Sequence, residues 1–571
     1  MQRRTFIKGV AASSFMGIAA TDLQAESPKR SSDKRRTLTG KEFFLDIDYT
    51  PVNITGKRSV ATTINGQIPG PTLVWQEGDT VTIHVTNHLK KSSSIHWHGI
   101  ILPYQMDGVP GISYKGIAPG ETFTYRFKVR QHGTYWYHSH SGYQEQTGMY
   151  GAIVIKPRKR EPFRYDKDYV VLLSDWSDEK PTSIYRKLKL SSDYYNFNRR
   201  TVGDFFSEVK KKGFGKAFDD RKMWNQMRMS DRDLSDVTGY TYTYLMNGQN
   251  PATQFKALFK KGEKIRLRFI NGAAMSFFDV RIPGLKMTVV AADGNHIKPV
   301  RVDEFRIGVA ETYDVIVEPT SNRAYAIFAQ SIERSGYALG SLTPSASKLA
   351  SAPKMDKPQA LTMADMGMGM SKMGKDKGMK MPMKKSMKKY RWSAMEAEKY
   401  PITKLPIATG PQSTMKAMAP KYRLEDPGVG LRNNGRRVLT YADMKNRYST
   451  RRAKKPDREI VLHLTGNMER YMWSINGIKY ADAKPLVFHY GERLRITFIN
   501  DTMMNHPMHL HGMWSDLETG DDNHLVRKHT IVVQPGAKIS YRVTVDAKGG
   551  WAYHCHLLYH MAGMFRKVEV V

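Results

Sequence analysis

The chain has 571 residues, enough for about three to five domains of ordinary size. Its composition is 40% hydrophobic and 11% aromatic, which supplies packed cores and excludes global disorder. A single cysteine, Cys555, excludes an intrachain disulfide and any metal site built from several cysteines.

The net charge is +35, from 89 Lys and Arg residues against 54 Asp and Glu residues. Such an excess favours nucleic acid or an anionic surface as a partner. The basic residues are dispersed, however, and the densest groups, near Lys384 and near Arg451, lie in segments predicted to be loops. We therefore expect no specific nucleic-acid partner and only weak adhesion to anionic envelope surfaces.

The first 25 residues have the pattern of an export signal. Arg3 and Arg4 precede Phe6-Ile7-Lys8, and the apolar stretch from Gly9 to Ala20 is too short to span a bilayer as a mature helix. Paired arginines predict a twin-arginine signal, cleaved after Ala25, with an uncleaved anchor as the alternative. No later run of about 18 apolar residues follows, so we expect a soluble periplasmic protein.

One strand pattern occurs three times along the chain. An Asn-Gly pair leads to a Gly-acid pair, then to a strand of period two that ends in asparagine nine residues after the glycine; the repeats run Asn65-Gly66 to Asn87, Asn247-Gly248 to Asn271, and Asn476-Gly477 to Asn500. Short alternating strands bounded by turns predict an all-β protein of Greek-key β-sandwiches. The predicted domains are residues 41–157, 165–345 and 456–571.

Residues 346–455 break the repeat and contain a run of methionines interleaved with Gly, Lys and Asp: Met363, Met366, Met368, Met370, Met373, Met379, Met381, Met383 and Met387. The run has few other apolar residues, so we expect a disordered surface insert and linker. Because thioethers are soft ligands, capture of Cu(I) is favoured over a plain linker.

Four His-X-His pairs occur in matched register in the first and third repeats: His96 with His98, His138 with His140, His509 with His511, and His554 with His556. The equivalent positions in the middle repeat are Val280 and Ile282. On a strand, residues i and i+2 point to one face, so each pair presents two imidazoles together. The eight imidazoles predict a metal cluster between the first and third domains.

Cys555 lies between His554 and His556, so its sulfur points to the opposite face and indicates a second metal site. His506, His560 and Met564 complete the ligand set of a blue-copper electron-transfer centre. The short covalent path from Cys555 to its neighbours would carry electrons to the cluster. A one-electron acceptor joined to a multimetal cluster suits the four-electron reduction of dioxygen.

These motifs resemble the signatures of three-domain multicopper oxidases: His96-Trp97-His98-Gly99, His138-Ser139-His140, His506-Pro507-Met508-His509-Leu510-His511-Gly512, and His554-Cys555-His556-Leu557-Leu558-Tyr559-His560. The resemblance covers about residues 41 to 571 outside the Met-rich insert. Within this family, the export signal, the Met-rich insert and the Leu557-Leu558-Tyr559-His560 ending resemble the periplasmic copper-resistance oxidases called CopA-like. The resemblance implies three cupredoxin-like domains and four coppers per chain.

Carried over by motif position, the ligands are His506, Cys555, His560 and axial Met564 for type 1 copper; His96 and His509 for type 2 copper; and His98, His138, His140, His511, His554 and His556 for the type 3 pair. One position departs from the pattern. Relatives place the axial residue ten after the cysteine, where this chain has Phe565. Either Met564 is axial in a loop one residue shorter, or the type 1 copper is three-coordinate.

The resemblance also matches Asp107 to a carboxylate that relatives use as a proton donor, with an Asp-Gly turn residue as the alternative. We expect a periplasmic oxidase that takes single electrons from Cu(I) and reduces dioxygen to water in copper resistance. The alternatives are a laccase oxidising small phenols and, less favoured, a copper carrier or store without catalysis. A monomer is expected.

Overall fold

The computed structural model describes residues 36–368, 400–451 and 453–571. The predicted export signal, residues 1–25, lies outside these ranges. Domain 1 is a β-sandwich whose two sheets have the strand orders β1-β4-β9-β8-β6 and β3-β2-β5-β7. Its strands are β1 Thr37–Thr39, β2 Glu42–Asn53, β3 Arg58–Ile64, β4 Gly70–Gln76, β5 Thr80–Asn87, β6 His96–His98, β7 Thr122–Lys128, β8 Gly133–His138 and β9 Tyr150–Lys156.

Domain 2 is a second sandwich, with sheets β11-β10-β13-β18-β15-β16 and β12-β20-β19-β14-β17. Its strands are β10 Lys167–Trp176, β11 Thr243–Met246, β12 Phe255–Leu258, β13 Ile265–Asn271, β14 Phe278–Arg281, β15 Met287–Ala292, β16 Asn295–Val302, β17 Glu304–Ile307, β18 Thr312–Val317, β19 Tyr325–Ser331 and β20 Tyr337–Thr343. Three helices that the strand pattern does not predict lie between β10 and β11: α1 Pro181–Leu190, α2 Val202–Lys212 and α3 Phe214–Gln226.

Domain 3 repeats the arrangement, with a principal sheet β21-β23-β26-β31-β28-β29 and a second sheet β25-β33-β32-β27-β30. Its strands are β21 Ile402–Thr403, β22 Lys421–Tyr422, β23 Arg458–Asn467, β24 Met472–Ile475, β25 Leu486–Phe488, β26 Arg493–Asn500, β27 His506–Leu510, β28 Ser515–Leu517, β29 Val526–Lys528, β30 Thr530–Val533, β31 Ala537–Thr544, β32 Gly549–Cys555 and β33 Phe565–Val570. The three-domain, all-β architecture expected from the repeats is confirmed.

The repeated asparagine has the same structural task in each domain. Asn87, Asn271 and Asn500 are fully buried at the ends of β5, β13 and β26. Each side-chain amide donates to one main-chain carbonyl in the following loop, four or five residues on, and to a second carbonyl 30 to 36 residues on, at 2.7 to 3.1 Å. These bonds brace the loop that leads to the next strand of the sandwich. In domains 1 and 3, that next strand carries the first His-X-His pair.

The described part of the predicted insert is ordered, contrary to our expectation for residues 346–455. Residues 402–403 and 421–422 form β21 and β22 on the principal sheet of domain 3. The Tyr422 hydroxyl bonds that of Ser540, and the Tyr441 hydroxyl donates to Glu311 of domain 2. The connector therefore binds domains 2 and 3 together, because its scattered aromatic and charged side chains find partners on both.

Two large apolar clusters form the core. One lies within domain 1, and the other runs continuously through domains 2 and 3. Among the described residues, no helix combines the length and the apolar character needed to cross a membrane.

Candidate metal centre

The histidine pairs are brought together by strand register. In domain 1, β6 pairs with β8 so that His96 lies opposite His138. In domain 3, β27 pairs with β32 so that His509 lies opposite His554. The remaining partners, His98, His140, His511 and His556, complete a group of eight imidazoles at the boundary between the two domains. All are buried except His140, which is half-buried.

The inward ring nitrogens of these eight cluster histidines converge. The Nε2 atoms of His138 and His556 lie 3.3 Å apart, and the Nε2 of His554 lies 3.3 Å from that of His140 and 3.0 Å from that of His511. Among the described residues, the Nε2 atoms of His96 and His509 and the Nδ1 of His98 are buried without a hydrogen-bond partner. Unpaired buried nitrogens are rare in folded proteins, and here they are the donor atoms that a metal cluster needs.

Burial favours the neutral form of seven of these imidazoles. It lowers the pKa of His98, His138, His140, His509, His511 and His556 well below the ordinary value, with further lowering from neighbouring imidazoles. Burial also lowers the pKa of His554 to about 4. Neutral imidazole is the form that binds metal ions, so the site is prepared for them at neutral pH.

Four of the outward nitrogens are held by fixed acceptors, and Asp107 holds two of these rings. His96 Nδ1 lies 2.7 Å from the Asp107 carbonyl oxygen, and His511 Nδ1 lies 2.8 Å from the Asp107 carboxylate. His509 Nδ1 lies 2.6 Å from the His529 carbonyl, and His138 Nδ1 lies 2.9 Å from the Glu145 carboxylate. These contacts leave the inward nitrogens free to bind a metal. The fully buried Asp107 is therefore more than a turn residue.

The predicted type 1 residues form a second group on the opposite face of β32. Cys555 Sγ lies 3.5 Å from His506 Nδ1 and 3.8 Å from His560 Nδ1, and the two Nδ1 atoms are 3.4 Å apart. These separations fit a trigonal centre with bonds of about 2.0 Å to nitrogen and 2.3 Å to sulfur. Burial raises the pKa of the Cys555 thiol, so a bound cation is needed to hold it as thiolate.

Strand alternation separates the two candidates for the axial position, Met564 and Phe565. Phe565 lies opposite His554 in the ladder between β32 and β33, and the two rings stack with centroids 5.3 Å apart. Phe565 therefore lies on the cluster face of the sheet. Met564, one residue earlier, is fully buried, and its carbonyl accepts from the Cys555 amide. This placement favours Met564 over Phe565 as the residue beside the predicted type 1 site.

Domain 2 contributes no cluster histidine but supports both groups. Asp236 Oδ2 lies 2.7 Å from His560 Nε2 and accepts from the Tyr471 hydroxyl at 3.1 Å. Asp293 accepts from the main-chain amides of His529 and Thr530, both at 3.1 Å. Domain 2 therefore fixes the outer edge of the type 1 group and the loop behind His98 and His509.

The methionine run divides into two parts. Met366 is buried, and Met363 and Met368 are half-buried against the same core, which corrects the expectation that this run has no core contacts. Leu361 and Met366 fill the core together, and Asp365 pairs with Arg432 at 2.6 Å. These contacts hold the segment against the body of the protein. Met370, Met373, Met379, Met381, Met383 and Met387 lie outside the described residues.

Several supporting residues were missed by the sequence analysis. Glu145, Asp236, Asp293 and His529 carry no spacing motif, and three of them reach the site from remote parts of the chain. Only Glu145, five residues after His140, lies near enough to a motif to be suspected from its position.

Three family models, each described as multicopper oxidase, match residues 46–160, 167–347 and 453–571. The chain belongs to the multicopper oxidase family. It is 55% identical to copper resistance protein A of Escherichia coli and 53% identical to copper resistance protein A of Pseudomonas syringae pv. tomato, in each case over 100% of this chain and 99% of the relative.

The fold is similar to the crystal structure of the laccase from Botrytis aclada, with a TM-score of 0.60 and 21% identity over 93% of this chain and 88% of that one. Copper is the cofactor of this oxidase, in type 1, type 2 and type 3 centres, and the described histidine groups fit it. The three matched models coincide closely with the three sandwiches.

Proposed function

We propose that type 1 copper is bound by His506, Cys555 and His560 with Met564 axial, type 2 copper by His96 and His509, and the type 3 pair by His98, His138, His140, His511, His554 and His556. The assignment is supported by the grouping of the inward donor atoms and by the partners that hold the outward nitrogens. The observation that carries it is the position of Cys555 at the end of β32, between His554 and His556 in the chain, with its sulfur beside His506.

Bound copper supplies single-electron transfer at the type 1 centre and reduction of dioxygen to water at the other three ions. The protein supplies the path and the protons. The main chain of β32 joins the Cys555 sulfur to two cluster imidazoles. Asp107 contacts both His96 and His511, so its carboxylate is placed to deliver protons where dioxygen is reduced. A small cavity of about 10 Å³ bordered by His96, His509 and His529 adjoins the cluster and is close to the size needed for about one water molecule.

We propose Cu(I) as the electron donor and copper resistance as the physiological role. The proposal is supported by the relatives named copper resistance protein A. It is also supported by the shape of the type 1 site. His560 is fully buried, and its outer nitrogen is covered by Asp236, so a bulky phenol has no exposed imidazole edge to contact. A copper carrier or store would not require a thiolate that is covalently linked to the ligands of a metal cluster.

We further propose export to the periplasm by the twin-arginine pathway, on the basis of Arg3, Arg4 and the apolar stretch that follows them. This route suits an enzyme that folds around copper before or during export. The six methionines from Met370 to Met387 that lie outside the described residues would bring Cu(I) to the enzyme.

The methionine role is tested by replacing those six residues with leucine. We expect Cu(I) oxidation at low donor concentration to fall by about tenfold or more, while oxidation of a small organic dye is unchanged, because thioethers bind Cu(I) and not the dye. Met366→Leu is the matched control for packing, since that side chain is buried. Equal losses with both donors would contradict the proposed role.

A further inference from the structure

Two histidines outside the copper centres meet where domains 1 and 2 touch. His132 precedes β8 in domain 1, and His296 lies on β16 in domain 2. Their ring centroids are 4.8 Å apart, the same separation as for His138 and His556 of the cluster. The spacing is therefore one that this protein already uses for two imidazoles with converging nitrogens.

Two carboxylates flank this pair. Glu77 Oε2 lies 3.5 Å from His132 Nδ1, and Glu161 Oε1 lies 3.6 Å from His296 Nε2. Both distances are longer than a good hydrogen bond and leave room for an ion between the groups. Glu77, His132, Glu161 and His296, here called the His132–His296 cluster, thus offer two nitrogen and two oxygen donors.

His296 has no other explanation among its contacts. Its side chain is only 3% exposed, yet neither ring nitrogen has a hydrogen-bond partner among the described residues. Native proteins rarely bury an imidazole without a partner. The ring packs against Phe163 with centroids 5.4 Å apart and planes nearly perpendicular, and its Nε2 lies 3.6 Å from Glu161 Oε1.

The two loops that carry the histidines are fixed by close backbone contact. Gly133 and Gly294 both have positive φ, and a Cβ on Gly133 would lie 2.1 Å from the Gly294 carbonyl oxygen. Only glycine allows this approach. The contact places His132 beside His296 before any ion binds, and such preorganisation lowers the cost of binding.

Charge and access also suit a cation. Glu161 accepts two hydrogen bonds from Arg266 and one from the Tyr165 hydroxyl, and Asp314 accepts from the same guanidinium at 2.6 Å, so two carboxylates face that single positive charge. A carboxylate has about four lone-pair sites, so Glu161 keeps about one for an ion. His132 is 29% exposed and Glu77 is 27% exposed, so the cluster opens to solvent on that side. Burial lowers the pKa of His132, which keeps its nitrogen lone pair available.

We propose that the His132–His296 cluster binds a divalent transition-metal ion, with Cu²⁺ preferred over Zn²⁺. Imidazole and carboxylate together suit borderline divalent ions, and for such donors the Irving–Williams order places Cu²⁺ above Zn²⁺. Methionine sulfur contributes nothing here, so the site is distinct in chemistry from the methionine run. The inference does not depend on the oxidase reaction or on its donor.

The test is a Cu²⁺ titration of the copper-loaded protein after loosely bound metal has been removed. We expect one additional Cu²⁺ per chain, with an electron paramagnetic resonance spectrum of mixed nitrogen and oxygen ligation, and we expect Zn²⁺ to compete for it. His296→Gln and His132→Gln should each weaken this binding by tenfold or more. His84→Gln, which alters a surface imidazole bonded to Thr124, is the matched control.

Both test variants should keep wild-type oxygen uptake, which shows that they are folded and copper-loaded. If His296→Gln and His132→Gln bind the additional Cu²⁺ as tightly as wild type, the assignment is wrong. If wild type itself binds no Cu²⁺ beyond its loaded centres, the assignment is equally overturned.

Discussion

Domains 2 and 3 contain the same pair of antiparallel strands, β14 with β19 in domain 2 and β27 with β32 in domain 3, but they differ in the residues that lie opposite each other on these strands. In domain 3, His509 lies opposite His554 on β27 and β32. In domain 2, the equivalent ladder places Val280 opposite Ala329, and both are fully buried. The strand pair of domain 3 carries two proposed metal ligands, and the strand pair of domain 2 carries two core side chains.

The difference shows that the strand pair alone does not make a metal site. The bracing asparagine is present in all three domains, and the ladder between the two strands is antiparallel in each. What domains 1 and 3 add is imidazoles, four of which have fixed acceptors for their outward nitrogens. Domain 2 instead supplies acceptors, Asp236 and Asp293, to groups in domain 3.

The strongest way to break the comparison is to give domain 3 the residue that domain 2 has. His509→Val removes one of two proposed type 2 ligands. We expect the rate of oxygen uptake to fall by more than about 100-fold. Substitution of a residue that only supports a metal ligand typically costs about 10- to 100-fold. The copper content should fall, while the blue absorption of the type 1 centre remains because its ligands are untouched. Near-normal uptake with full copper would refute the assignment of His509.

Asp107→Asn tests the proton supply between domains 1 and 3. The amide keeps the shape and can still accept a hydrogen bond from His511, but it cannot deliver a proton. We expect the rate of dioxygen reduction to fall by about 10²- to 10⁴-fold. Reduction of the type 1 centre by its donor, followed by stopped flow without oxygen, should be unchanged. Equal slowing of both steps would indicate a structural role instead.

Asp236→Asn tests the support that domain 2 gives to domain 3. Loss of the carboxylate beside His560 should lower the rate of Cu(I) oxidation by about 10- to 100-fold and shift the type 1 absorption band. Asp219→Asn, an exposed carboxylate on α3, is the control. An unchanged spectrum and rate would remove Asp236 from the electron-entry site.

The smallest expected effect comes from the reverse exchange, Val280→His. An imidazole placed opposite Ala329 has no metal partner and no fixed acceptor. We expect the free energy of unfolding to fall by about 1–3 kcal/mol beyond the size-matched control Val280→Leu, the usual cost of an unsatisfied buried polar group. Denaturant unfolding measures the stability change. Gain of an additional bound copper would show that the strand pair does suffice for a site.

The sequence predicts the features that depend on local spacing. Intervals along the chain predict the period-two strands, the three repeats, and the ten histidines and one cysteine proposed as copper ligands. They do so because residues two apart on a strand point to the same face. Asp236 and Asp293 could not be predicted, since their contacts arise only when separate domains dock, and His529 could not because its contact with His509 depends on the fold of the chain between them. The fate of Met366 was also hidden, because burial of an isolated methionine depends on the surface that it meets.

The most direct test is dioxygen uptake by the fully copper-loaded protein after addition of stabilised Cu(I), beside Cys555→Ser and beside a phenolic donor. We predict rapid uptake with Cu(I), with one dioxygen consumed for every four Cu(I) oxidised, and none in the variant. The four-to-one ratio follows from complete reduction to water. Uptake with the phenol alone, or Cu(I)-dependent uptake that persists in Cys555→Ser, would contradict a cuprous oxidase that transfers electrons to its cluster through Cys555.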